Sequence, residues 1–375
     1  MIELKPTILL SANSAWNIVN YRLGLVETIE QAGYRVVLAV PPGADVGQLA
    51  TEDRLVCSID MQPRGTSVRA DLRLFLNYFR LMRRLRPAAF LGFTVKPNVY
   101  GSLAARICGV KTIANISGLG KLFVRPTALT KLVTLLYRAA LAGASTVFFQ
   151  NQDDADLFLA KRLVRGRQVR LLPGSGVDLD HFQSVPLPAG PGAPITFLLC
   201  ARLLWDKGIA EFVEAARRLK ESGATARFRI LGIVELPGIE AVSEQELRMW
   251  EARGLIEFLG SAADVRPAIA AADCIVLPSY YREGVPRALL EGAAMGRPLI
   301  STDSPGCREA VTNQVTGFLC KPRSVESLVE ASRRFLDLPL SERQRMGAAG
   351  RAKMEREFDQ AIVHRAYVGA LSESE

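Results

Sequence analysis

Thr7-Ile-Leu-Leu-Ser11, then an amphipathic stretch from Ile18 to Gly33, then Tyr34-Arg-Val-Val-Leu-Ala-Val40 open the chain. A short apolar run, a helical pattern and a second apolar run are the repeat of a parallel sheet wrapped by helices. The same alternation continues outward. Strands are predicted at 89–93, 112–116 and 146–150, and helices near 70–86, 98–108 and 127–142. It then breaks at Ser184-Val-Pro-Leu-Pro-Ala-Gly-Pro-Gly-Ala-Pro194, where four prolines and two glycines in eleven residues prevent regular structure. It resumes at Ile195, with strands predicted at 195–200, 226–231, 256–259, 274–277 and 298–301 and closing helices near 325–337 and 341–357. The expected class is α/β: two doubly wound, Rossmann-like domains, 1–183 and 195–375, joined by a linker at 184–194. Ligands of such open sheets bind at the carboxyl ends of the strands, so the two domains are expected to face a shared cleft.

At 375 residues and 49% hydrophobic composition the chain is long enough for two cores. The six cysteines are widely separated, with no Cys-x-x-Cys pair, and no secretory signal precedes the first strand, so a reduced, cytoplasmic protein is expected. No stretch reaches the roughly 18–20 apolar residues of a membrane span. The net charge of +9 lies in the first half: 23 Lys/Arg face 13 Asp/Glu up to residue 185, against 24 and 25 beyond it. Such a field favours an anionic partner, whether a phosphorylated substrate, an acidic membrane surface or nucleic acid.

Two motifs directly after strands carry chemistry. In Cys200-Ala-Arg-Leu-Leu-Trp-Asp-Lys-Gly208, Arg202 and Lys207 lie in a strand-to-helix loop. Two cations beside a helix N-terminus can clamp a diphosphate, although an Arg and a Lys in one loop also suit a solvated surface. The second motif, Glu283-Gly-Val-Pro-Arg-Ala-Leu-Leu-Glu291, follows the strand ending at Ser279. Gly284 and Pro286 indicate a loop leading into a helix, with Glu291 about two turns inside it. Carboxylates at these two places can hold two sets of hydroxyls on one ligand, such as a sugar and a ribose; the alternative is that Glu291 merely caps or solvates a helix face.

These motifs, with Pro173-Gly-Ser-Gly-Val-Asp-Leu-Asp-His-Phe182, Phe258-Leu-Gly260 and Thr316-Gly-Phe-Leu319, occur in an order and spacing that resemble a family 4 retaining glycosyltransferase of the GT-B fold, over nearly the whole chain. The resemblance implies that Arg202 and Lys207 neutralise the leaving diphosphate. It implies that Glu283 and the backbone of Gly284, Val285 and Pro286 orient the transferred sugar, and that Glu291 holds the ribose. Residues around Gly232 and Leu259 would line the base pocket. It implies retention of the anomeric configuration, a UDP-sugar as donor, no separate cofactor and no metal; with only two histidines, a histidine-rich metal cluster is excluded.

One departure stands out. Many relatives of this kind carry a strand-end His-Gly in the first domain, whereas this chain reads Asn115-Ile-Ser-Gly-Leu-Gly120, with Ser117 in the equivalent place. Together with Phe93-Thr-Val-Lys-Pro-Asn-Val-Tyr-Gly-Ser102, this is similar to bacterial transferases acting on undecaprenyl-diphosphate-linked saccharides. Lys96, Asn98, Asn115 and Ser117 are then the acceptor-side candidates, with turns an equal explanation of Pro97, Gly118 and Gly120. Asn13, in the loop Ser11–Asn17, either approaches a phosphate or caps the following helix.

The run Arg69–Arg86 mixes six arginines with leucines and aromatics at helical spacing. It reads either as an interfacial helix for an anionic leaflet, as at the inner face of a plasma membrane, or as a packing helix with a basic outer face. A second basic and apolar run spans Lys121–Arg138. The expected partners are a nucleotide-sugar donor, a lipid-linked saccharide acceptor and an anionic membrane. The nearest rival is a sugar-nucleotide epimerase of similar fold, which scarce histidine disfavours. A nucleic-acid-binding protein lacks any reading element here and leaves the Glu pair without a role.

Overall fold

A computed structural model describes residues 5–52, 54–62, 65, 67–120, 128–188, 190, 192–234 and 240–373. It separates into two compact units, one formed by residues 1–175 with 361–375 and the other by residues 176–360.

The first unit holds a seven-stranded parallel sheet: β1 Thr7–Ser11, β2 Arg35–Val40, β3 Leu55–Ser58, β4 Ala89–Phe93, β5 Lys111–Ile116, β6 Thr146–Phe149 and β7 Val169–Leu171, in the order β3-β2-β1-β4-β5-β6-β7. Successive residues of a strand face opposite sides, and both sides are covered. Ile8 and Leu10 join the core beneath the helix Leu23–Gln31, while Leu9 packs towards Tyr78 and Met82 of the helix Val68–Leu85. This is why the strands read as unbroken apolar runs. The three-residue β7 and the half-exposed edge strand β3 lack such runs and went unpredicted.

The second unit repeats the plan with β8 Ile195–Cys200, β9 Ala226–Leu231, β10 Glu257–Phe258, β11 Cys274–Leu277, β12 Leu299–Thr302 and β13 Gly317–Cys320, ordered β10-β9-β8-β11-β12-β13 and parallel throughout. In each sheet the order reverses beside the first strand of the unit, between β1 and β4 and between β8 and β11. Crevices for ligands open outside the carboxyl ends at such points.

The borders differ from the expected 183 and 195. Residues 176–187 fasten to the second unit: Val177 and Phe182 enter its core, and the fully buried Arg297 donates to the carbonyls of Val185 (2.7 Å), Pro186 (2.8 Å) and Ala272 (3.2 Å). The final helix, Gln360–Ser372, belongs to the first unit. Its Val363, Tyr367 and Leu371 complete that core, and the Tyr367 ring lies 4.7 Å from Phe148 and 5.7 Å from Phe93. The chain enters and leaves the second unit at paired backbone, Val177 N to Phe358 O at 2.8 Å and Gln360 N to Val177 O at 3.0 Å.

Candidate functional site

After β8 the chain passes Arg202, makes a single turn at Trp205–Lys207, and enters the helix Ile209–Glu221 through Gly208. Gly208 has φ +77°, and a Cβ there would strike the carbonyl oxygen of Pro278. The residue must therefore be glycine, and the close approach presses this loop onto the one following β11. The Asp206 carbonyl secures the contact by accepting from the amides of Tyr280 (3.0 Å) and Tyr281 (3.1 Å) and from the Ser279 hydroxyl (3.2 Å).

This stitching sets Lys207 against Glu283. The Lys207 ammonium donates to Glu283 Oε1, and Ser279 Oγ donates to the same oxygen at 3.1 Å. Both charged side chains are largely buried, with 8% and 13% of their surface exposed, so the pair is shielded from bulk water and its attraction is strong. The Tyr281 ring flanks the ammonium at 5.4 Å.

Beyond Glu283, Gly284 is buried with its carbonyl pressed against Gly306, while Val285 turns its side chain into the core. Only the backbone of these residues is left to meet a ligand. Pro286 begins the helix Arg287–Ala294, as its missing N–H permits. Glu291 lies on this helix, accepting from Arg287 Nε at 2.9 Å. Burial pushes its carboxyl above the ordinary range, against the pull of Arg287 and His181. A carboxyl raised in the folded state makes stability fall as pH rises from the ordinary carboxylate value through the raised one. Glu291→Gln is accordingly expected to unfold at pH 7 no more easily than the wild type. Its donor KM is expected to rise by about tenfold. Parallel urea titrations and donor kinetics test both halves, and a clear loss of stability would contradict the first.

The ends of β9 and β10 adjoin the same loops. Gly232 has no room for a Cβ against the Ala201 carbonyl, and its amide donates to Gly260 O at 2.8 Å. Next to it, Leu259 and Ile233 are 40% and 51% exposed. The structure thus places Arg202, Lys207, Gly232, Leu259 and Glu283–Pro286 on loops at the carboxyl ends of β8, β9, β10 and β11, with Glu291 on the helix that follows the last of them. Ser279 and the Asp206 carbonyl were not foreseen, because one is a plain serine and the other a backbone atom.

In the first unit the candidates are engaged differently. Lys96 pairs with Asp71 at 2.7 Å, with side chains 13% and 16% exposed. Asn98 is buried and donates to the carbonyl of Asn115 at 2.7 Å, tying β4 to β5, and its Oδ1 lies against Gly92. Asn115 is buried as well, and its Nδ2 donates to the Tyr367 hydroxyl at 2.6 Å. Those two asparagines hold the loop ends in place, and Ser117, two residues on, is exposed. The cap of the helix Ala15–Tyr21 is Ser14, whose Oγ accepts from Asn17 N at 3.2 Å, and not Asn13.

Residues 188–353 match the family Glycosyl transferases group 1, and residues 18–174 match the Glycosyl transferase 4-like domain. The two matches together take in most of the chain. Among curated proteins, it is 23% identical over 369 residues, 94% of each chain, to N,N'-diacetylbacillosaminyl-diphospho-undecaprenol alpha-1,3-N-acetylgalactosaminyltransferase of Campylobacter jejuni. It is 26% identical over 290 residues, 73% of each, to UDP-Gal:alpha-D-GlcNAc-diphosphoundecaprenol alpha-1,3-galactosyltransferase of Escherichia coli. Among solved structures, a glycosyltransferase from Rickettsia africae superposes with a TM-score of 0.78 at 18% identity, covering 99% of this chain and 100% of that one. An Anabaena protein, HepE in complex with UDP and glucose, gives 0.78 at 18%, covering 98% and 100%. Both agree with the GT-B fold.

Proposed function

The chain belongs to the family 4 glycosyltransferases of the GT-B fold, and from that premise we propose that it moves a hexose or N-acetylhexosamine from a UDP-sugar to a polyprenyl-diphosphate-linked saccharide, retaining the anomeric configuration. The observation that carries the donor half is the meeting of Lys207 with Glu283 at the ends of β8 and β11, with Glu291 one helix segment further on. Cations there suit a diphosphate, and carboxylates suit the hydroxyls of sugar and ribose. The acceptor half rests on the two transferases above, both of which act on diphospho-undecaprenol-linked sugars by name. The relatives give no support to a sugar-nucleotide epimerase.

In the proposed reaction the bond from the anomeric carbon to the diphosphate oxygen breaks while an acceptor hydroxyl bonds to that carbon on the same face. The hydroxyl proton passes to the departing diphosphate. Arg202 and Lys207 stabilise the charge that builds on it, so neither a metal nor a cofactor is required. Glu283 and the backbone of Gly284–Pro286 orient the sugar, Glu291 the ribose, and the surface around Gly232 and Leu259 takes the base. The test is UDP release from a panel of UDP-sugars with and without a polyprenyl-diphosphate saccharide. Acceptor-dependent release, lost in Arg202→Ala, is the expected result; UDP-sugar conversion without acceptor would overturn it.

Among the described residues no helix is long and apolar enough to cross a membrane. We propose that the protein works from the cytoplasmic side and docks on an anionic leaflet through the helix Val68–Leu85. That helix packs inward through Leu74, Tyr78, Leu81 and Met82, and presents Arg69, Arg73, Arg80, Arg83 and Arg84 outward with Leu72 (58% exposed) and Leu76 (37%) among them. Arginines around exposed leucines suit anionic headgroups over acyl chains. The second basic run adds exposed Leu132 and Leu135, its part at 121–127 lying outside the described residues. Leu72→Asp/Leu76→Asp is expected to weaken co-sedimentation with phosphatidylglycerol vesicles about tenfold or more while unfolding like the wild type. Undiminished binding would remove this helix from the interface.

A further inference from the structure

Resting on the donor-site reading above, we propose that Glu283 acts as an internal counter-anion, seated on Lys207 by Ser279, which a nucleoside diphosphate must displace to bind. The ammonium that would meet the diphosphate already donates to Glu283 Oε1, at a site where little water screens the pair. A diphosphate oxygen and this carboxylate are alternative acceptors for one ammonium, and two anions sharing it repel. Donor binding is then an exchange. The diphosphate takes Lys207, and Glu283 is released towards hydroxyls of the sugar that arrive with it. Free nucleoside diphosphate brings the charge without those hydroxyls, so it meets the full opposition of Glu283 and binds less well than the intact donor. Product release is favoured by the same carboxylate returning to Lys207.

Ser279 is the positioning residue of this device. It is fully buried, and its single hydroxyl proton faces Glu283 Oε1 at 3.1 Å and Asp206 O at 3.2 Å. Its carbonyl accepts from Thr302 Oγ1 and from Ser304 Oγ (3.3 Å), which fixes the residue from the β12 side. Glu283 is thereby kept within reach of both Lys207 and an incoming sugar.

The test measures UDP, GDP and ADP binding by calorimetry in the wild type, Glu283→Gln, Lys207→Met and the double variant. Glu283→Gln is expected to bind the preferred diphosphate at least about threefold more tightly, while losing transfer by a hundredfold or more. In the Lys207→Met background the same change should no longer tighten binding, which separates an effect exerted through Lys207 from a general loss of negative charge. Ser279→Ala should lower kcat without raising the donor KM, since a merely damaged fold would lower the binding stoichiometry instead. Weaker or unchanged diphosphate binding in Glu283→Gln, or equal tightening without Lys207, overturns the exchange and leaves the donor reading standing. No diphosphate binding in either the wild type or Glu283→Gln overturns both.

Discussion

Lys207→Met is expected to lower kcat/KM for sugar transfer by about a thousandfold, because a buried cation aimed at a leaving diphosphate acts most strongly as charge develops there. The same substitution should also destabilise the second unit. Glu283 keeps the Ser279 hydroxyl but loses its counter-ion in a setting where only 13% of its side chain meets solvent. A loss of about 2 kcal/mol follows from removing one member of a largely buried ion pair. Adding Glu283→Gln removes the other charge of the pair, so the double variant should recover part of the stability and none of the activity. Urea unfolding beside initial-rate kinetics reads the two effects separately. An active Lys207→Met enzyme would refute the assignment of this lysine to the diphosphate.

The second large effect is structural. Arg297→Met should cost about 3 kcal/mol, because the buried carbonyl of Ala272 and the partly buried ones of Val185 and Pro186 lose their donor together. The buried Asp273, whose carboxylate accepts from Thr196 N at 2.8 Å, also loses a nearby positive charge. Residues 185–186 should then detach first, so limited proteolysis is expected to nick the variant there well before the wild type. A loss below about 1 kcal/mol, with unchanged cleavage, would show that apolar packing alone holds the segment.

What could be read from residues alone followed the strength of each physical signal. Strands buried on both faces, such as β2 and β11, declare themselves as apolar runs, and the loops after them inherit their meaning from the sheet. Hence Lys207 and Glu283, which the structure brings into contact, could be singled out as candidates before any coordinates. Legibility failed where a residue's role is set by distant chain. The proline-rich stretch looks like a free linker, and nothing local reveals that Arg297, more than a hundred positions later, fastens its start. The helix Gln360–Ser372 has an apolar face that would suit either sheet; Phe93 and Phe148 of the first unit decide the matter. Asn98 and Asn115 look like ligand groups from sequence, and the structure shows that the Nδ2 of each also donates within the protein, to the Asn115 carbonyl and the Tyr367 hydroxyl. Ser279 carries no signal of its own, since its importance arises from the two loops that meet at its hydroxyl.

The return of the last helix into the first unit also bears on how the protein is made. Residues 1–175 leave the ribosome first, but they lack Val363, Tyr367 and Leu371, so they emerge with an apolar groove and with Asn115 still short of the Tyr367 hydroxyl. The second unit has no such debt, because its ends at Val177 and Gln360 are hydrogen-bonded neighbours and everything between them is contiguous. The half synthesised second can therefore finish folding before the half synthesised first, whose core stays incomplete until its closing helix arrives.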